Sequence, residues 1–142
     1  MTALSNGTRD LLRDALAQMS APVTLYVFTD GGAVSGEARR RARAIAALAP
    51  GPGWIAIAEH DLARDAGVAA RFGVAHAPAL VVVSDRDRGI RVYGAPGGYE
   101  FMTLVDTILM ASSGDSGLSP ASRARLAGIT GPRDVLVFVT PT

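Results

Sequence analysis

The sequence predicts a single mixed α/β domain, and three observations carry that expectation. Apolar residues recur at helical spacing in 8–19, 37–49 and 101–109. Short β-branched and aromatic runs lie between them, at 23–28, at 54–59 and in the stretch that a proline loop feeds up to Val83. Glycine- and proline-rich breaks separate one element from the next. The length of 142 residues suits one domain, and 49% hydrophobic against 19% charged residues is enough apolar material for a core.

Each element has its own signal. Leu11, Leu12, Ala15, Leu16 and Met19 outline the apolar face of a first helix, capped by Asn6 or Thr8 and stopped by Ala21-Pro22. Val23–Phe28 reads as a buried strand closed by Thr29-Asp30-Gly31-Gly32. A second helix is expected over 37–49, with Ala38, Ala42, Ile45, Ala46 and Ala49 inward, and Pro50-Gly51-Pro52-Gly53 ends it. Trp54–Glu59 is the next strand, and 62–72 a short helix ending at Gly73. A proline-bearing loop over 73–78 feeds a strand that ends at Val83. The polar turn Asp85-Arg86-Asp87-Arg88-Gly89 returns the chain as an antiparallel partner over 90–93. Phe101, Leu104, Val105, Ile108 and Leu109 repeat with helical period after Pro96-Gly97-Gly98. Residues 112–117 have linker composition, Ser119-Pro120 starts a further short helix, and Asp134–Val139 reads as a strand.

Composition narrows the chemistry. The chain has no cysteine, so disulfides, thiolate nucleophiles and zinc–cysteine sites are excluded for it. All 14 basic residues are arginine, which leaves no lysine for Schiff-base chemistry or a phosphate loop. A net charge of +1 and dispersed aromatics argue against a nucleic-acid partner. No apolar run approaches the roughly 20 residues of a membrane span. The N-terminus, Met1-Thr2-Ala3-Leu4, lacks a basic stretch followed by an apolar one, so a cytoplasmic protein is expected. Glu59-His60-Asp61 are metal-capable by type, but neighbours on a strand point to opposite faces, and no metal or cofactor is expected. Arg39, Arg40, Arg41 and Arg43 spread around their helix as a solvated face paired with acids such as Glu37. Ser35 has no base near it in sequence and is not a nucleophile candidate.

Three segments carry a resemblance. They are Arg71-Phe72-Gly73-Val74 with Ala77-Pro78-Ala79, then Arg91-Val92-Tyr93-Gly94-Ala95-Pro96-Gly97-Gly98-Tyr99-Glu100-Phe101, then Val135-Leu136-Val137-Phe138-Val139-Thr140-Pro141-Thr142. With the element order, they resemble the archaeal and bacterial protein disulfide oxidoreductases, glutaredoxin-like proteins built of two thioredoxin-fold units in tandem. The resemblance spans nearly the whole chain. It implies a thioredoxin-like three-layer α/β/α sandwich over 1–111. The remainder, 112–142, would be linker, extra helix and the first strand of a second unit. It also implies a cis bond before Pro78.

The family carries Cys-X-X-Cys just after its first strand; here the matching stretch is a degenerate active-site loop at Ala33, Val34, Ser35 and Gly36. In the family the last strand runs through Thr-Pro-Thr into a second dithiol, which here would follow Thr142. The resemblance therefore implies a unit with no catalytic residue, acting as the substrate-binding or structural half of a thiol–disulfide oxidoreductase. His76, Ala77 and Pro78 would contact an extended protein substrate, and the partner would be a second thioredoxin-like unit. The alternative is a stand-alone interaction or dimerisation module of the same fold. The apolar run Val135, Leu136, Val137, Phe138 and Val139, with neither face suited to water, is expected to make a homodimer.

Overall fold

In the computed structural model, which describes residues 5–139, the order of elements is α1 (Asn6–Leu16), β1 (Val23–Thr29), α2 (Ala33–Ala46), β2 (Ile55–Asp61), α3 (Ala66–Arg71), β3 (Ala79–Val83), β4 (Asp87–Tyr93), α4 (Tyr99–Ser113) and α5 (Pro120–Ala127). The expectations placed on Met1–Leu4 and on Thr140-Pro141-Thr142 lie outside the described residues. The sheet runs β2-β1-β3-β4. β1 is parallel to β2 and antiparallel to β3, and β3 is antiparallel to β4.

β1 is paired on both sides, and its alternation sends side chains into two separate cores. Val23, Leu25 and Val27 join Ile55, Leu80 and Val82 beneath α1, α2 and α4, which contribute Leu12, Leu16, Ala42, Ile45, Leu104, Val105 and Ile108. Phe28 faces the other way and joins Ala79 and Val81 beneath α3, with Ala69, Phe72 and Val74. Three helices thus cover one face and a single short helix the other, a thioredoxin-like α/β/α arrangement.

The structure corrects several boundaries. α1 is capped by Ser5, whose hydroxyl accepts the Thr8 N–H, rather than by Asn6 or Thr8. Leu11 is 72% exposed, because it lies about 100° around the helix from Leu12 and misses the arc through Leu12 and Leu16. α2 begins at Ala33, four residues before the expected 37, so Ala33, Val34, Ser35 and Gly36 form its first turn and not a loop. α3 is shorter than expected, and β4 begins at Asp87.

At the C-terminal end the differences are larger. Ser112 and Ser113 are the last residues of α4, not linker, and the helix is closed by Gly114 in the left-handed region at φ 71°. The strand expected over 134–139 does not form. A strand exists only where its backbone groups find a partner, and these residues pair with neither sheet edge. Val135 to Val139 are 62–90% exposed instead. α5 has the expected start, with Ser119 accepting the Ser122 N–H and Pro120 next, and it buries none of its residues.

One buried polar contact ties the C-terminus of α4 to the start of β1. The Ser112 hydroxyl accepts the Ser20 and Ala21 N–H groups, at 2.9 Å each, and donates to the Ala21 carbonyl at 2.6 Å. Truncation would leave three backbone groups without partners in a place water reaches poorly. Ser112→Ala is expected to lower unfolding free energy by about 1–3 kcal/mol. Denaturant titration checks this: the midpoint should fall while the slope stays constant.

Candidate functional site

The end of the sheet at the start of α2 brings together three segments the sequence separates: the first turn of α2, the loop ending at Pro78, and the 94–98 stretch before α4. Their assembly begins at Asp30. Its carboxylate accepts the Gly32 N–H at 2.9 Å and the Ser35 hydroxyl at 2.6 Å, while Ser35 Oγ accepts the Asp30 N–H at 3.2 Å. Gly32 is the N-cap and has no side chain to cap with. Asp30 does that work from two residues upstream, which is why α2 starts early despite its glycines. A Cβ on Gly32 would stand 3.0 Å from Asp30 Oδ1, so the turn leaves little room for a side chain.

From α2 the connection continues through charge. Glu37 accepts from Arg40 Nη2 at 2.6 Å and from Arg41 Nε at 2.9 Å. The Arg40 hydrogen bond holds the Glu37 carboxyl below its ordinary value; partial desolvation opposes it and Arg41 assists. Arg41 then reaches across to donate to the Ala95 carbonyl at 3.0 Å. A Cβ on Gly97 would run into the Arg41 guanidinium, so glycine there permits the close approach. The same stretch meets the proline loop: the Gly94 N–H donates to the Pro78 carbonyl at 2.9 Å. The Ala77–Pro78 bond is cis. Pro78 is buried, Ala77 half-buried and His76 exposed, with the His76 ring 6.3 Å from that of Tyr93 in an edge-on arrangement.

Of the site residues expected from sequence, Ser35 is buried and bonded to Asp30, whereas Ala33 and Val34 are exposed on the first turn of α2. Gly36 is half-buried, and a Cβ there would make only ordinary contact with Arg40 Nη1 at 3.5 Å. His76, Ala77 and Pro78 lie on the loop that Gly94 anchors. Val135 to Val139 belong to the exposed tail and take no part. Asp30, Arg41 and Gly97 were missed as site residues. A legible signal existed for one of them, since Glu37 and Arg41 have the i, i+4 spacing of a helical ion pair. Glu59-His60-Asp61 gathers no metal set; His60 Nδ1 instead lies 3.3 Å from Asp65 Oδ2, beside Tyr26 and Phe28. Among the described residues no three His, Asp or Glu side chains come together in a set that could hold a metal ion. No helix of the described residues is long and apolar enough to cross a membrane.

The geometry restricts what this end can do. Exchange needs a thiolate to attack and a second thiol to resolve the mixed disulfide, and the turn offers neither. Ser35 does not substitute. It is 1% exposed, and its proton sits on a carboxylate that hydrogen bonds, led by that from Ser35, hold below the ordinary 3.8. A carboxylate so stabilised is a poor general base near neutrality. What remains is a surface of backbone groups and exposed side chains.

A lowered Asp30 carboxyl contributes stability that is fully present above its ordinary value and is lost as pH falls through the lower folded value. Asp30→Asn should therefore flatten the acid limb of the stability profile. Denaturant midpoints between pH 5 and pH 2 check this, the wild type losing more across that interval than the variant.

No family model matches the sequence, and no curated protein is significantly similar to it. Solved structures do match. A protein disulfide oxidoreductase from Aeropyrum pernix K1 superposes with a TM-score of 0.79 at 26% identity, over 92% of this chain and 57% of that one. The alkylhydroperoxide reductase AhpF from Enterococcus faecalis V583 gives 0.80 at 20% identity, over 91% and 62%. The NTD_N/C domain of AhpF from the same organism gives 0.78 at 20%, over 87% and 60%. The chain thus spans about three-fifths of the length of these structures. The two AhpF likenesses bear on fold alone, and they agree with the first. By sheet order and by these likenesses the chain has a thioredoxin-like fold, and it is similar to a protein disulfide oxidoreductase of that fold.

Proposed function

We propose that this chain is a redox-inactive thioredoxin-like unit that holds extended protein segments at the Pro78 loop. The dithiol that acts on them would be supplied by another thioredoxin-like unit. The observation that carries the reading is the state of the α2 turn. Both positions where the family places its thiols, Ala33 and Gly36, lack them, yet the turn is closed by Asp30 and bonded through Arg41 to the 94–98 stretch and so to Pro78. A scaffold of this kind keeps its shape without the chemistry. Exposed apolar side chains lie on the elements that meet here: Val34 on α2, Tyr93 at the end of β4, and Tyr99 at the start of α4. An extended peptide would find backbone groups at 76–77 and apolar contacts around them.

The likeness to a protein disulfide oxidoreductase of greater length leaves room for a further unit that would do the exchange. The second reading, an interaction or dimerisation module that works alone, is favoured by one observation, the bare apolar segment Val135–Val139.

The test is a titration of the labelled chain with a cysteine-free, extended apolar peptide, followed by NMR. The reading expects saturable shifts concentrated at Val34, His76, Ala77 and Gly94. Absence of saturable shifts, or shifts confined to the α3 face around Phe72, would overturn it.

A further inference from the structure

The sheet has two outer edges, and they are not alike. On β4 the edge carries Asp87, Arg88 and Arg91, with Arg91 Nη2 2.6 Å from Asp87 Oδ2, and its pairing with β3 is interrupted by a register shift between Val81 and Val83. Charge and irregularity of this kind discourage another strand from adding.

β2 is different, and the hydrogen bonds at its ends show which of its groups face outward. The Trp54 carbonyl accepts the Val23 N–H, and the Leu62 N–H donates to the Thr29 carbonyl, both at 2.8 Å. Even-numbered residues therefore direct their backbone groups at β1. The odd-numbered ones, Ile55, Ile57, Glu59 and Asp61, direct theirs away from the sheet. Asp61 is already closed: its N–H donates to Asp65 Oδ2 at 2.9 Å and its carbonyl accepts the Asp65 N–H at 2.8 Å. Ile55, Ile57 and Glu59 have no such partner among the described residues, and no charged side chain guards 55–58.

The same chain carries a segment that lacks what this edge offers. Val135–Val139 is mostly β-branched and aromatic, five residues long like Ile55–Glu59, pairs with nothing among the described residues, and is 62–90% exposed. Within one molecule it does not lie on its own β2. Each chain thus presents one bare edge and one bare strand, and a closed pair of chains satisfies both at once. The geometry points to self-association in which Val135–Val139 of each copy adds to the outer edge of β2, along Ile55–Glu59, of the other. This inference is independent of the peptide reading at Pro78, which uses the loop before β3, on the other side of β1 from β2.

The test measures mass by light scattering over a concentration series, on the full chain and on two variants. Val137→Asp charges the donated strand at a position that is 79% exposed. Ile57→Pro removes one outward N–H and leaves the β1 ladder its partners, since an edge strand tolerates proline there. The inference expects twice the chain mass for the wild type and the single mass for both variants, with circular dichroism unchanged. A wild type that stays at single mass overturns it, as does a folded variant of either kind that remains a pair. Should Ile57→Pro fail to fold, amide exchange decides. The Ile57 and Glu59 amides should be protected in the wild type and lose that protection in Val137→Asp; equal exchange in the two would overturn the assignment of the edge.

Discussion

Arg41 is the contact on which the arrangement of the site end depends. It leaves α2 beyond the first turn, shares Glu37 with Arg40, and ends on the Ala95 carbonyl. Because Gly94 is bonded to Pro78, this one guanidinium links the start of α2 to the proline loop through a single intermediate stretch. A planar, multi-donor group suits that position, since it satisfies a carboxylate with one nitrogen and a backbone carbonyl with another. Gly97 leaves it the space.

This arrangement explains how a thioredoxin-like turn can hold its form without thiols. In a working dithiol site the helix N-terminus stabilises a thiolate through free N–H groups and the helix dipole. Here the same region is occupied from within, by the Asp30 carboxylate on Gly32 N–H and Ser35 Oγ. Near neutral pH the negative charge that a thiolate would supply is held by an aspartate at the turn. The turn therefore keeps its form with no thiol in it.

Much of the fold was legible because the signals were local and strong. The β1 run, the Ala79–Val83 run and the α4 periodicity each point one way, and all three elements stand where the sequence put them. The start of α2 was not legible, since Gly31-Gly32 reads as a break until the Asp30 carboxylate is seen to cap across it. Ser112 read as linker for the same reason: its burial comes from Ser20 and Ala21, some ninety positions away. The 134–139 segment failed in the opposite sense. Its residues prefer a strand, but a strand is a property of two segments, and no described part of this molecule supplies the second. In the site, His76 to Pro78 were found by resemblance, whereas the Asp30–Ser35 and Arg41–Ala95 contacts depend on tertiary approach that no spacing rule encodes.

The central claim is that the turn, which has no thiols, holds a geometry that would accept a dithiol. Adding the thiols tests it most directly, through the double variant Ala33→Cys with Gly36→Cys. The two positions share a helix face, a side chain at 36 meets nothing closer than Arg40 Nη1, and that cation favours a thiolate. Mild oxidation of the reduced variant should remove both titratable thiols while the added cysteines remain within one chain. Thiols that stay free, or that pair only between chains, would contradict the account.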